Sequence, residues 1–175
     1  MKLLAFAASS SKNSINKQLV HFASSLLEGA ETEILDLNDY DMPLFSIDRE
    51  LELGQMPLAA KFLEKIGSSD ALLVSFAEHN GSYTAAFKNL YDWCSRINSR
   101  VWQDKPMVML STSPGQRGGA SVLASALGTA PFFGGEVKAS LSIPAFNDNF
   151  DSASGELTNV ELKAKLEEAL NALLK

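Results

Sequence analysis

The chain has 175 residues, a formal net charge of −6, 46% apolar residues and a single cysteine. That is enough chain for one domain with a substantial core, and too apolar a composition for disorder. The acidic balance argues against nucleic acid as the main partner, because phosphate neutralisation takes a basic face, while leaving room for a small anion at a local site.

Leu3 to Ala8 is a continuous apolar run, as in a strand buried on both faces. It briefly resembles a secretion signal, but it is too short and gives way at Ser9 to the polar stretch SSSKNSIN. No segment reaches transmembrane length, so a soluble cytoplasmic protein with no membrane partner is expected. From Ile15, apolar residues recur at Leu19, Phe22, Ala23, Leu26 and Leu27 with helical spacing, and Gly29 takes the role of a helix stop. Thr32 to Leu37 reads as a second strand and Asn38 to Gly54 as a long loop holding Pro43. Pro57 opens a second helix with Leu58, Phe62, Leu63 and Ile66 on one side. Ala71 to Phe76 is a third strand, and Ala85 to Ile97 a third helix with Phe87, Leu90, Tyr91 and Cys94 aligned. Met107 to Thr112 is a fourth strand, Val122 to Ala130 a fourth helix, Val137 to Ile143 a fifth strand and Asn159 to Leu174 a final amphipathic helix. There is no repeat and no low-complexity linker, so residues 1–175 read as a single domain.

Strands alternating with helices imply an α/β fold with a parallel sheet covered on both faces. Right-handed crossovers leave only a few doubly wound orders. Ligands of such sheets bind beyond the carboxyl ends of the strands, at the switch point. Three polar loops fall on that edge: Ser9 to Ser14, Ala77 to Tyr83 and Ser113 to Gly119.

The first loop runs into a helix start, where unpaired N–H groups and the positive dipole end favour an anion. Ser9, Ser11, Ser14 and Asn16 add side-chain donors, and Lys12 adds a charge. Ser and Asn are equally the usual N-caps, so Asn13 or Ser14 also suits plain capping. Neither GxxxxGK[ST] nor GxGxxG occurs, which disfavours a P-loop or dinucleotide site and leaves a mononucleotide phosphate. The flavodoxin-like five-stranded order 2-1-3-4-5 fits, with FMN between strands one and three.

Strand three ends in FAEHNGSYTAAFKNLYDW. This stretch resembles the NADPH-dependent FMN reductase family, whose pattern runs Pro-Glu-Tyr-Asn-Gly-Ser, then Leu-Lys-Asn and Asp-Trp. Glu78, Asn80, Gly81, Ser82, Lys88, Asn89, Asp92 and Trp93 match, whereas Ala77 replaces the proline and His79 the tyrosine. The third loop, SPGQRGG, matches Ser-Pro-Gly-x-x-Gly-Gly at Ser113, Pro114, Gly115, Gly118 and Gly119. The first loop matches Gly-Ser-x-Arg-x-x-Ser-x-Asn at Ser9, Ser14 and Asn16, with Ala8 for the glycine and Ser11 for the arginine. The likeness extends from about Lys2 into the final helix and includes DLNDYDMPLF after strand two.

The resemblance implies a flavodoxin-like fold, bound FMN, reduction by NADPH or NADH, and a homodimer or homotetramer. By the family's pattern, Ser9, Ser11, Lys12, Ser14, Ile15 and Asn16 hold the phosphate. Ala77, Glu78, His79, Asn80, Gly81 and Ser82, with Ser113, Pro114, Gly115, Gly118 and Gly119, frame the isoalloxazine ring. Glycines at such positions allow close backbone approach to a flat ring. Electrons pass from bound flavin to a quinone, azo compound, free flavin or similar small acceptor, and no acid–base side chain or metal is required. Loss of the first-loop arginine removes a bidentate phosphate fork, so loosely held flavin is expected. His79 is placed to contact the ring or a neighbouring subunit. Arg117 reads either as a contact for the NADPH phosphate or as a free surface side chain, Trp93 as an interface or core residue, and Cys94 as core. Lys88 and Asn89 read as helix surface or a subunit contact. Pro43 to Ile47 and the segments around Phe132 and Phe146 read as walls of the acceptor pocket. Two other readings share the fold: a flavodoxin-type electron carrier without NAD(P)H oxidation, and a non-enzymatic binding or regulatory protein.

Overall fold

The computed structural model describes residues 1–174. Its main sheet has five parallel strands. In chain order the elements are β1 (Lys2–Ala8), α1 (Ile15–Ser25), β2 (Glu31–Leu35), α2 (Ile47–Leu53), α3 (Pro57–Ser68) and β3 (Ala71–Phe76). A hairpin of β4 (Glu78–His79) and β5 (Ser82–Tyr83) precedes α4 (Ala85–Ile97), β6 (Lys105–Thr112) and α5 (Ala120–Thr129). Then come β7 (Gly135–Ile143), the short α6 (Phe146–Asn149), a second hairpin of β8 (Phe150–Asp151) and β9 (Glu156–Leu157), and α7 (Val160–Asn171). The sheet order β2-β1-β3-β6-β7 is the expected 2-1-3-4-5 of the principal strands.

β1 shows why both faces must be covered. Leu4, Phe6 and Ala8 pack on one side among residues of α3, α4 and α5, while Leu3, Ala5 and Ala7 pack on the other among residues of α1 and α7. Phe6 is fully buried between Phe62 and Phe87, with ring centroids 5.3 and 6.4 Å away. Burying a side chain of this size contributes roughly 1.5–3 kcal/mol, so each face of one strand anchors its own helical layer. Cys94 is buried in the first layer, and burial pushes its thiol up to about 12, which suits a packing role and not a nucleophile.

The segment after β2 departs from the sequence expectation. The second strand stops at Leu35, Leu37–Tyr40 forms a tight 3-10 turn, and the expected loop of residues 38–54 contains α2. Ser46 starts α2, its hydroxyl accepting from the Arg49 N–H at 3.2 Å. α2 buries none of its side chains, so it carries no inward stripe for a pattern search to find. Asn89 and Trp93 explain how this segment is held. Asn89 accepts from the Phe45 N–H at 2.8 Å and donates to the Met42 and Pro43 carbonyls at 3.1 and 3.2 Å. The Trp93 indole N–H donates to the Pro43 carbonyl at 2.8 Å, and its ring is 1% exposed. Within this chain both residues therefore clamp residues 42–45 onto α4 from inside, while Lys88 pairs with Asp92 on the surface of the same helix. Phe132 is also displaced from its expected place. It follows α5, at the amino-terminal edge of the sheet, and Phe146 is fully buried against Phe150. Neither aromatic side chain walls the opposite edge.

Candidate functional site

β1, β3 and β6 end side by side, so the three loops that follow them meet at the carboxyl edge of the sheet. Between them lies a cleft of about 290 Å³, lined by Ser9, Ser11, Asn13, Ser14, Ile15, Asn16, Ala77, Glu78, His79, Thr112, Ser113 and Pro114. A hollow of about 310 Å³ at the opposite edge is lined by strand starts and the end of α3. Helix starts, with their free N–H groups, lie at the carboxyl edge, which is why the cleft is the chemical candidate.

The first loop is built from the end of β1. The Thr84 hydroxyl donates to the Ala8 carbonyl at 2.9 Å and caps α4 at Phe87, tying β1 to α4. Ser9 is buried, and its hydroxyl accepts from the Ser11 N–H at 3.2 Å. Ser14 is the N-cap of α1 and accepts from the Lys17 N–H at 3.3 Å. The N–H groups of Ile15 and Asn16, in the first turn, have no intrahelical acceptor, as at any helix start. No acidic residue occupies that turn, so nothing there repels an anion. Lys17 is engaged elsewhere, at 2.5 Å from Asp36, whose carboxyl is held below its ordinary value chiefly by that bond.

Asn16 lines the cleft with its backbone, but its side chain points into the protein. Its Oδ1 accepts from the Ser75 hydroxyl at 2.7 Å and the Thr112 N–H at 3.1 Å, and its Nδ2 donates to the Thr112 carbonyl at 3.2 Å. One amide thus sews the start of α1 to the ends of β3 and β6. These bonds fix the orientation of the helix start.

The second loop is a hairpin. Asn80 and Gly81 occupy its two turn positions with φ of +52° and +78°, the left-handed values that an Asn-Gly two-residue turn requires. Ala77, Glu78 and His79 face the cleft, whereas Asn80, Gly81 and Ser82 are exposed at the tip and do not line it. Glu78 accepts from the Val122 N–H in the first turn of α5 at 2.9 Å. His79 is exposed at the cleft wall.

In the third loop, Ser113 and Pro114 line the cleft, while Gly115, Gly118 and Gly119 sit behind them. The Gly115 carbonyl accepts from the Ala145 N–H at 2.9 Å, and the Ser113 carbonyl from the Phe146 N–H at 3.0 Å. Gly118 has φ of +57°, and a Cβ there would lie 2.5 Å from Ser142 Oγ and 2.8 Å from the Ile143 carbonyl. This glycine is therefore demanded by the close passage of the loop over β7. Arg117 donates to the Ser121 hydroxyl at 2.7 Å, and Lys12 is exposed outside the cleft. Asn13 and Thr112 also line the cleft. Asn13 belongs to the polar run already singled out, whereas Thr112 ends a strand and carries no distinguishing signal. Among the described residues no cluster of three or more His, Cys, Asp or Glu side chains could hold a metal, and no helix is long and apolar enough to cross a membrane.

The geometry suits a flat anionic cofactor: free N–H groups at one end of the cleft, close-set loops along its sides, and an open mouth. The family model for NADPH-dependent FMN reductases matches residues 1–147. An NADPH:quinone oxidoreductase of Arabidopsis thaliana is 33% identical over 125 residues, 69% of this chain and 62% of that protein. An NAD(P)H:quinone oxidoreductase of Solanum tuberosum is 32% identical over 125 residues, 69% of this chain and 63% of that protein. The chain thus spans less than two thirds of either relative's length. Among solved structures, the flavoenzyme NAD(P)H:(acceptor) oxidoreductase FerB from Paracoccus denitrificans superposes with a TM-score of 0.78 at 25% identity, covering 99% of this chain and 94% of that one.

Proposed function

Because the chain belongs to the NADPH-dependent FMN reductase family, we propose that it is an FMN-dependent NAD(P)H oxidoreductase acting on a quinone, azo compound, free flavin or similar small acceptor. The observation that carries this reading is the convergence of all three loops on one open cleft that ends at the unpaired N–H groups of α1. When bound, FMN supplies the redox chemistry, accepting hydride from NADPH or NADH and giving electrons to the acceptor. Ile15 and Asn16 offer backbone donors to the phosphate, and Ser11 and Asn13 side-chain donors. Ala77 to His79 and Ser113 to Pro114 line the cleft on either side of the ring's place, and the hairpin tip and the glycines behind the third loop position those walls. The open mouth leaves room for nicotinamide and acceptor to use one ring face in turn.

The test is a visible spectrum of the protein mixed with FMN, passed through gel filtration and then treated with NADPH without air. Flavin should co-elute and bleach faster than free FMN. Co-eluting flavin that NADPH leaves coloured would move the reading to an electron carrier, and absence of flavin would overturn the cofactor assignment.

The same proposal includes a homo-oligomer. Ile47 and Leu51, four residues apart on α2, are 67% and 82% exposed and form an outward apolar stripe, and Leu44, just before the helix, is 67% exposed. Arg96 binds both oxygens of Glu50 at 3.0 and 2.9 Å, which fixes α2 against α4 and presents that stripe firmly. An apolar stripe held out in this way supports a second copy as its partner. Ile47→Glu combined with Leu51→Glu should reduce the mass found by light scattering to that of one chain; an unchanged oligomer would place the contact elsewhere.

A further inference from the structure

Both long walls of the cleft are loops, and loops of this kind need a device that fixes their spacing. α5 begins where the third loop ends, and its N-cap, Gly119, offers no side chain to its first turn; that turn also holds no acidic residue of its own. The carboxylate that caps it comes from the opposite wall. Glu78, on the hairpin, accepts from the Val122 N–H at 2.9 Å. Its cross-strand partner Tyr83 shares a hydrogen bond of 3.2 Å with Thr129 at the far end of the same helix. One cross-strand pair of the hairpin thus clasps α5 at both ends.

We propose that Glu78 is the positioning residue that couples the second and third loops and so sets the width of the cleft for the flavin. This rests on the FMN reading of the cleft. The bond is of the strong kind: an anionic acceptor on a backbone donor at the positive end of a helix. It also orders the cleft walls before any ligand arrives, which lowers the cost of binding. A carboxylate already committed to a helix start is poorly placed to move protons, which agrees with chemistry that belongs to the cofactor.

The experiment compares wild type, Glu78→Ala and Glu78→Gln. FMN affinity is read by fluorescence titration, and exchange of the Val122 amide by NMR on flavin-free protein. Ala removes the acceptor and should weaken FMN binding about tenfold and speed Val122 exchange by a similar factor, the scale of a lost charge-assisted hydrogen bond. Gln keeps an acceptor oxygen and should stay within about threefold of wild type in both readouts. Wild-type FMN affinity in Glu78→Ala would overturn the proposal, as would equal losses in Ala and Gln. If wild type itself binds no FMN, the cofactor reading fails separately. Val122 exchange then decides the tether by itself, and unchanged protection in Glu78→Ala overturns it.

Discussion

Asn16→Ala should lower the stability of the flavin-free protein by about 2–4 kcal/mol, because it strands two buried polar groups at once. Ser75 and Thr112 are 0% and 1% exposed, and Asn16 Oδ1 is the acceptor for both the Ser75 hydroxyl and the Thr112 N–H. Alanine leaves both donors without a partner and removes the donor to the Thr112 carbonyl. The urea midpoint should fall while the slope stays constant, the signature of lost native interactions without a change in the denatured state. Asn16→Asp should do no better. It keeps an acceptor but buries a carboxylate against the Thr112 carbonyl, and an unpaired buried charge is costly. A residue serving only as a phosphate ligand would leave flavin-free stability unchanged, so that result would overturn the structural role given to Asn16 here. Loss of flavin affinity should accompany the loss of stability, since the same amide aims the first turn of α1 at the cleft.

Gly118→Ala should be damaging for a different reason. A φ of +57° costs a side-chain-bearing residue about 1–2 kcal/mol. At Gly118 the new Cβ also meets Ser142 Oγ at 2.5 Å and the Ile143 carbonyl carbon and oxygen at 2.8 Å. Ser142 can rotate away, but the strand backbone cannot, so the third loop must lift from β7. That movement breaks the bonds by which Ser111 and Ser142 hold the Gly118 carbonyl, at 2.8 and 2.9 Å. The expected loss is about 3 kcal/mol or more, the sum of left-handed strain and overpacking, with flavin binding abolished. Gly81→Ala is the internal control. Its φ is +78°, but nothing lies within 4 Å of the added carbon. Strain alone applies, so the loss should be about 1 kcal/mol. Equal effects of the two substitutions in urea denaturation would show that packing over β7 is not what Gly118 provides.

Much of this fold is legible in the sequence. Ala71–Phe76 and Ala85–Ile97 appear with the bounds expected from their patterns, because a short, unbroken apolar run marks a strand buried on both faces and a stripe of helical period marks a helix. The parallel sheet follows from the alternation of strands and helices, crossover handedness leaves a few orders, and the flavodoxin-like order 2-1-3-4-5 is the one found. α2 was not legible, since its apolar residues face outward and leave no inward period to detect. The hairpin after β3 has a sequence signal in Asn80-Gly81, and the backbone uses that pair for its two-residue turn.

Tertiary structure decided how the polar residues of the site divide their work. Asn16, Glu78, Asn89 and Gly118 all belong to stretches that mark the family, yet each spends its side chain, or the lack of one, on the protein itself. Their partners are remote in sequence: Ser75 lies 59 positions from Asn16, Thr112 lies 96, and Val122 lies 44 from Glu78. Local pattern records which faces are buried, because burial repeats with the turn of a helix or the pleat of a strand. A single buried hydrogen bond has no period, so only the folded chain shows whether a polar side chain faces a ligand or holds the wall behind it.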